Sequence, residues 1–208
     1  AFLVNDAKAL TIADGKPAVL KVDGKHLPVA KQKSALGYVK ASKEGNNMRT
    51  FTAEKTSGGT SWGAVYAQWM QPVEDVKSAT SGMTVERMFF KDGKRLSSLD
   101  HLKVGDRLTV RIVITADRDY DFVQVADHRA ACMEPTSQLS GYRNGCYVAT
   151  KDNASYFYFD VLSKGRHTVE MTYYIDRAGS YRTGLCTAQC AYSPEFAGRD
   201  KSWEVKSE

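Results

Sequence analysis

The sequence predicts an all-β protein, and three observations support this prediction. Short segments alternate apolar and polar residues, which is the period of a strand with one buried face. Asp-Gly-Lys triplets begin at Asp14, Asp23 and Asp92, and such pairs favour the left-handed backbone of tight hairpin turns. Segments with the helical period are few. We therefore predict an antiparallel β-sandwich preceded by a smaller or incomplete β-sheet.

The domain boundary is predicted in the segment 70–82, which is rich in proline, charged and small residues and poor in apolar ones. About four candidate strands precede residue 72, and about seven follow residue 80, at the spacing typical of sandwiches. We therefore assign residues 1–74 to the small β segment and residues 75–208 to the sandwich domain. In the first segment, alternation predicts a mixed core strand with Trp62, Tyr66 and Met70 on one face.

Three segments of the predicted sandwich alternate most clearly. Their inward positions are Leu108, Val110, Ile112 and Ile114, then Phe157, Phe159 and Val161, then Val169, Met171, Tyr173 and Ile175. The last two segments are separated by a tight turn at Lys164 and Gly165, so the sequence predicts that they form a β-hairpin.

Composition excludes several classes of function. The 208 residues are 42% hydrophobic and 25% charged, as in a soluble globular protein. The net charge is +5, but the lysines and arginines are interspersed with acidic residues. They form no basic stripe, so nucleic-acid binding is not predicted. The sequence contains no run of eighteen apolar residues, so no transmembrane segment is predicted. No signal peptide is recognisable, and we expect the chain to be a fragment of a longer polypeptide.

The four cysteines are Cys132, Cys146, Cys186 and Cys190. Their spacing fits no zinc motif and the four histidines are scattered, so neither a metal nor a cofactor is predicted. Disulfides in an oxidising compartment and free buried thiols both remain open. Cys186 and Cys190 would lie about 13 Å apart on a strand, too far to pair. The most economical disulfide joins Cys132 to Cys146, closing a loop of about fourteen residues worth about 3 kcal/mol.

Cys186 and Gln189 have the spacing of residues that condense into an internal thioester. The segment around them reads as a strand, in which positions three apart point to opposite faces. The sequence therefore predicts that no thioester forms here. No metalloprotease, serine-hydrolase or phosphate-loop motif is present either, and Asp127, His128 and Arg129 are interpreted as an exposed cluster at a strand end. No enzymatic activity is predicted.

Residues 102–199 resemble the carboxy-terminal region of bacterial alpha-2-macroglobulins, in particular the large forms of Bacteroides-like organisms. The motifs that carry the resemblance are VGDRLTVRI, DHRAACMEP, FDVLSKG, RAGSY and YSPEF, in this order. The earlier run KTSGGTSWGAVYAQW is similar to the strand that closes a CUB-like sheet after the thioester domain of the same family. The resemblance implies a macroglobulin-like sandwich after a CUB-like half.

The resemblance also implies a function. Such a region is the non-catalytic scaffold and gating part of a broad-spectrum protease trap, and it packs on and shields the upstream thioester domain. The family's Cys-x-Glu-Gln motif is absent from this chain. The segment matching the shielding loop contains Gly179, Ser180, Tyr181 and Arg182, with Tyr181 as the ring that covers the bond.

The implied partners are the upstream thioester domain of the same polypeptide and the proteases that the full-length protein traps. The implied location is the periplasm or cell envelope of a Gram-negative bacterium. The alternative function is an independent extracellular binding module, either an adhesin or a carbohydrate-binding β-sandwich. That alternative predicts a concave aromatic patch or a calcium site made by loop carboxylates.

Overall fold

The structure is a computed structural model, which describes residues 18–28, 42–45, 48–56 and 63–208. The chain divides into two compact units, residues 1–68 and residues 69–208. The described residues contain no α-helix, and their one short helix is a 3-10 turn at Val73–Asp75. None of their helices is long and apolar enough to cross a membrane.

The described part of the first unit is a three-stranded antiparallel sheet. Its strands are β1 (Val19–Val22), β2 (Lys25–His26) and β3 (Phe51–Glu54), in the order β2-β1-β3. The turn predicted at Asp23 joins β1 to β2, with Asp23 and Gly24 both at positive φ. The carboxylate of Asp23 accepts hydrogen bonds from the main-chain N–H groups of Thr50 and Arg49, and these bonds lower its pKa. The triplet at Asp14 lies outside the described residues.

The core strand predicted near residues 62–70 is wrong where the structure describes it. Residues 63–70 contain no strand, and the side chains of Tyr66 and Met70 are 87% and 99% exposed. Trp62 lies outside the described residues. Aromatic and β-branched residues favour a strand only where a neighbouring strand supplies hydrogen bonds and packing, and residues 63–70 pair with no strand among the described residues.

The second unit contains fifteen strands, about twice the predicted number. They are β4 (Ala79–Ser81), β5 (Met83–Lys91), β6 (Lys94–Arg95), β7 (Leu99–Leu102), β8 (Arg107–Ala116), β9 (Tyr120–His128), β10 (Met133–Pro135), β11 (Gly141–Arg143), β12 (Cys146–Thr150), β13 (Ala154–Leu162), β14 (Gly165–Ile175), β15 (Gly179–Arg182), β16 (Cys186–Cys190), β17 (Ala197–Asp200) and β18 (Glu204–Ser207). Several are edge strands of two to four residues, which carry too little periodicity to be recognised.

These strands form three sheets around one apolar core. A five-stranded sheet has the order β10-β14-β8-β5-β6, and a seven-stranded sheet has the order β11-β12-β13-β9-β16-β17-β4. A small third sheet, β15-β18-β7, contributes Leu99, Leu102 and Val205 to the same core. The predicted all-β class and the macroglobulin-like sandwich are confirmed.

The predicted inward faces are confirmed at all but one position. Every inward residue predicted on β8 and β14 is buried, as are Phe157 and Phe159 on β13. Val161 was predicted inward but is 59% exposed, while the adjacent Leu162 is buried. The inward–outward alternation of β13 shifts where this strand lies beside Phe122 of the neighbouring strand β9. Phe122 takes a positive φ of 53°.

The hairpin predicted between β13 and β14 is wrong. β13 pairs with β12 and β9 in the seven-stranded sheet, whereas β14 pairs with β8 and β10 in the five-stranded sheet. The short link at residues 163–164 therefore carries the chain from one sheet to the other. A tight turn between two alternating segments does not reveal whether they share a sheet, because both kinds of connection bury the same apolar faces.

Candidate functional site

A row of polar side chains crosses the inward face of the seven-stranded sheet. Ser155 on β13 lies opposite Asp127 on β9, which lies opposite Cys186 on β16, which in turn lies opposite Asp200 on β17. None of the four is more than 9% exposed. Because buried polar groups are costly unless they are bonded, this row requires partners inside the sandwich.

Arg87, which is 2% exposed, supplies partners for Asp127 and Asp200 from β5 in the opposite sheet, whereas Ser155 shares a hydrogen bond with the hydroxyl of Tyr173 at 2.9 Å. Arg87 Nη1 donates to Asp127 Oδ1 at 2.7 Å, and its main-chain N–H donates to Asp200 Oδ2 at 2.9 Å. Its Nη2 donates to Thr183 Oγ1 and to the carbonyl oxygens of Gly184 and Lys201, at 2.8–2.9 Å. The guanidinium group of Arg87 therefore connects β9 to two loop segments, and its main-chain N–H adds a bond to β17.

The electrostatics of this cluster keep the Cys186 thiol neutral. Burial raises the pKa of Cys186 well above its usual value, and the neighbouring carboxylate of Asp127 raises it further. Burial lowers the pKa of Arg87, but the negative charges of Asp127 and Asp200 and the hydrogen bond to Asp127 contribute to a larger opposing effect, so the pKa lies above its usual value. The thiolate is the nucleophilic form of a cysteine. Because Cys186 stays protonated, it is a poor nucleophile. The cluster is a structural ion pair.

Asp127, His128 and Arg129 do not form the exposed cluster predicted from the sequence. Asp127 is 1% exposed and faces the core, whereas His128 is half-buried and packs edge-on against Tyr156. The prediction of exposure was wrong for Asp127, because its charge is balanced by an arginine 40 positions away in the chain. Adjacent strand residues diverge, as expected.

Cys186 and Gln189 lie on opposite faces of β16, which confirms the geometric prediction. The Cys186 side chain is fully buried, whereas Gln189 is exposed and its Nε2 donates to the carbonyl oxygen of Pro194 at 3.1 Å. The sulfur and the carboxamide therefore point away from each other, and this pair forms no thioester.

All four cysteines are free and buried. Cys132 lies just before β10 of the five-stranded sheet, where its carbonyl oxygen accepts from the N–H of Asp176 at 2.9 Å. Cys146 lies on β12 of the seven-stranded sheet. Both thiols are free in the structure, which therefore does not contain the Cys132–Cys146 disulfide. Of the two alternatives left open by the sequence, it has the free thiols.

The predicted shielding segment forms β15, at the edge of the three-stranded sheet. Gly179, Ser180 and Arg182 are exposed, whereas Tyr181 is half-buried and packs against the core. The Tyr181 hydroxyl donates to the carbonyl oxygen of Ala178 at 2.8 Å. A Cβ atom at Gly179 would approach this hydroxyl to 2.9 Å, and Gly179 has a φ of 143°. The glycine thus lets the tyrosine ring fold over its own strand.

Other aromatic residues, more exposed than Tyr181, lie on the seven-stranded sheet and in the loop that follows β16. Phe122 and Tyr192, which are 51% and 80% exposed, form an edge-to-face pair with ring centroids 5.3 Å apart. Tyr142, Tyr147, Tyr156 and Tyr158 form a continuous line of rings on β11, β12 and β13, which we call the tyrosine stripe. The sequence alone does not reveal the stripe, because it depends on strand order.

A polar cavity of about 240 Å³ lies beside Arg129. Its lining includes Glu134, Gln138, Thr150 and Lys151, and Arg129 Nη1 and Thr150 Oγ1 have no hydrogen-bond partner in the protein. A polar cavity of this kind suits ordered water. In the described part of the chain, no group of three or more histidine, cysteine or acidic side chains is placed to hold a metal ion.

Sequence reasoning also missed Arg87. The strand MTVERMFFK alternates, and Arg87 occupies an inward position between Val85 and Phe89. A charged residue at an inward position of an otherwise apolar strand face predicts a buried partner of opposite charge. This signal was available, although it does not identify Asp127 as the partner.

This chain is similar in sequence and in fold to a family of known proteins. The model of the bacterial alpha-2-macroglobulin MG10 domain matches residues 82–195, over half of the chain. No curated protein matches. Among solved structures, a trypsin-activated alpha-2-macroglobulin from Escherichia coli is 16% identical with a TM-score of 0.56, covering 64% of this chain and 11% of that chain.

Two further structures are similar. Salmonella alpha-2-macroglobulin reacted with methylamine is 18% identical with a TM-score of 0.58, covering 65% of this chain and 10% of that chain. Native Escherichia coli alpha-2-macroglobulin, from domain MG7 to the C-terminus, is 14% identical with a TM-score of 0.58, covering 66% of this chain and 25% of that chain. At these identities the likeness to solved structures shows the fold alone. The chain spans about a tenth to a quarter of these relatives.

Proposed function

Because this chain belongs to the bacterial alpha-2-macroglobulin family, we propose that it is the non-catalytic scaffold and gating region of a protease trap. It packs on a thioester domain that precedes it in the same polypeptide, and it keeps water and amines away from the thioester. The observation that carries this proposal is the match of the MG10 domain to residues 82–195. A Bacteroides-like source stays a prediction.

The chemistry of the described residues supports a gating role. Cys186 and Gln189 diverge on β16, and the buried cysteine thiols are poor nucleophiles because burial raises the pKa of Cys132, Cys146 and Cys186. A region without its own reactive group contributes to a trap by covering a group held elsewhere. The trapped proteases and the location in the periplasm or cell envelope follow from the same proposal.

The covering surface is proposed to include Gly179, Ser180, Tyr181 and Arg182. An aromatic ring that buries apolar surface over a thioester excludes water and amines from it. Tyr181 is held in place by its bond to Ala178 and keeps part of its ring accessible. The more exposed pair of Phe122 and Tyr192 is a second aromatic element available for the same task.

The test measures how fast methylamine opens the thioester. The preceding part of the polypeptide is produced without these 208 residues, and thiol release is followed with and without this chain added in trans. We expect the chain to slow thiol release by at least about tenfold, which corresponds to about 1.4 kcal/mol. An unchanged rate would overturn the proposal.

Two variants test the role of the ring. Tyr181→Ala removes it, and the matched control Tyr181→Phe keeps the ring but loses the hydrogen bond to Ala178. We expect the alanine variant to lose most of the protection and the phenylalanine variant to keep it. Equal protection by both variants would show that another group, with Phe122 and Tyr192 as the first candidates, covers the bond.

The alternative function, an independent adhesin or carbohydrate-binding module, has less support. The cavity beside Arg129 has no aromatic residue in its lining, whereas sugar-binding sites in such modules combine a concave shape with aromatic rings. The exposed rings of Tyr142, Tyr147 and Tyr158 lie instead along strands of a sheet face. This arrangement favours contact with another protein surface.

A further inference from the structure

The tyrosine stripe runs across three neighbouring strands at one end of the seven-stranded sheet. The ring centroids of Tyr142 and Tyr147 are 5.3 Å apart, those of Tyr147 and Tyr158 are 6.5 Å apart, and those of Tyr158 and Tyr156 are 6.1 Å apart. The line ends at His128 on β9, 6.4 Å from Tyr156. Each ring thus contacts the next, and the stripe is one continuous surface.

Exposure shows that this surface is accessible. Tyr142, Tyr147 and Tyr158 are 73%, 37% and 38% exposed. An adjacent loop could have covered these rings, but they remain open to solvent. A contiguous exposed aromatic surface on a folded domain is typical of an interaction site. Tyrosine is also the residue type enriched where binding energy concentrates in protein interfaces.

The outer face of the five-stranded sheet has a different chemistry. Apart from Val113 and Tyr174, its outward positions along β8 and β14 hold threonines and charged residues, and Arg111 pairs with Glu170 across the two strands. Tyr174, which is 46% exposed, is the one large aromatic residue exposed on these two strands. The contiguous aromatic surface therefore lies on the seven-stranded sheet, whereas β8 and β14 of the other sheet expose a single, isolated tyrosine.

We propose that the tyrosine stripe is a docking surface for a folded domain of the same polypeptide outside these 208 residues. This inference rests on the proposed function. The relatives carry the matching region as 10–25% of much longer chains, so most of their length is available to cover such a face. The polar cavity beside Arg129 includes none of the four tyrosines, and a strand face lined by rings fits a protein surface better than a small ligand.

The arrangement of the rings supports tight docking. Each ring is held by its neighbours, so little side-chain freedom is lost when a partner covers it. The hydroxyl groups remain available for hydrogen bonds, since only Tyr142 has a side-chain partner on the described surface, Asp160 at 3.5 Å. The stripe thus offers apolar area together with polar groups for orientation.

The test measures the affinity of this chain for the preceding part of its polypeptide, produced separately, by isothermal titration calorimetry. The variant Tyr147→Thr/Tyr158→Thr removes the two central rings and keeps residues that favour strands. The matched control, Tyr174→Thr, removes a tyrosine of similar exposure from the outer face of the other sheet. Denaturant unfolding of each variant verifies that the sandwich remains folded.

We expect the double variant to bind at least about a hundredfold more weakly and the control to bind within about twofold of the natural chain. Undiminished binding by the folded double variant would overturn the docking role while leaving the proposed function intact. An absence of binding by the natural chain would overturn both. Equal weakening by the double variant and Tyr174→Thr would also contradict the assignment, since it would show no preference for the stripe.

Discussion

Arg87 and Asp127 form an ion pair inside the sandwich, with 2.7 Å between Nη1 and Oδ1 and with both side chains at most 2% exposed. Arg87 lies on β5 of the five-stranded sheet and Asp127 on β9 of the seven-stranded sheet. The pair therefore joins the two sheets through their common core. Arg87 also donates to the main-chain oxygen atoms of Gly184, just before β16, and of Lys201, just after β17. It therefore holds the chain in place at both of these points.

Removing the arginine should strongly destabilise the sandwich. In Arg87→Met the carboxylate of Asp127 loses its cation in the core, and breaking a buried pair in this way costs about 3–5 kcal/mol. The free energy of unfolding in urea measures this loss. The control is Arg95→Met, which breaks the exposed pair with Glu86 and should cost at most about 1 kcal/mol. Similar losses in the two variants would contradict the structural role of Arg87.

The close approach of β17 to β5 depends on Gly198. A Cβ atom at this position would lie 2.4 Å from the carbonyl oxygen of Met83, which is main chain and cannot rotate away. We expect Gly198→Ala to reduce the free energy of unfolding by about 1–3 kcal/mol. Gly141→Ala is the control, because Gly141 on β11 has no atom within 4 Å of an added Cβ. Equal stability of the two variants would show that β17 lies farther from β5.

The four cysteines should behave as free, protected thiols. The structure contains no disulfide among them, and all four are buried. We expect a thiol reagent to label none of them rapidly in the native protein and to label all four in denaturant without reductant. Mass spectrometry of the labelled protein gives the count. Two or fewer labelled cysteines in denaturant would reveal a disulfide, with Cys132 and Cys146 as the first pair to examine.

The carboxylate of Asp106 should stabilise the folded protein at neutral pH and lose this effect in acid. Burial raises its pKa, but the hydrogen bonds from Lys91 and from the main-chain N–H of Lys103, together with the positive charges of these lysines, outweigh this, so the pKa of Asp106 in the folded protein lies below the usual 3.8. The carboxylate therefore stabilises the fold above the unfolded pKa, and this contribution disappears as pH falls through the folded pKa. The free energy of unfolding, measured between about pH 5 and pH 2, should fall less steeply in Asp106→Asn than in the natural chain.

A second variant verifies the cause of that slope. Lys91→Met keeps the carboxyl group of Asp106 but removes the cation and hydrogen-bond donor that lower its pKa. It should therefore flatten the same part of the pH profile. An unchanged slope in both variants would show that other carboxylates carry the acid sensitivity.

The sequence predicted those features of the fold that are local. Alternation identified the inward faces of β8 and β14, because a strand buried on one face repeats its chemistry every two residues. It could not identify the partners of each strand. The link between β13 and β14 has the residues of a hairpin, yet it crosses between sheets, and only the pairing of β13 with β9 and β12 reveals this.

The candidate site followed the same division. The divergence of Cys186 and Gln189 was predicted because it depends on three consecutive steps along one strand. The conformation of Tyr181 was not, since it depends on Gly179 and on the packing of β15 against β18. The tyrosine stripe could not be predicted either, because β11, β12 and β13 become neighbours only in the folded sheet.

The most direct test of the account maps where methylamine enters the polypeptide. Isotope-labelled methylamine is added to the full-length polypeptide that contains this chain, and the labelled peptide is identified by mass spectrometry. We expect all of the label on a glutamine that precedes these 208 residues, with none at Gln189. Label at Gln189, or a polypeptide that takes up no methylamine, would contradict the proposal. In that proposal, this sandwich has no thioester of its own and covers one held elsewhere in the polypeptide.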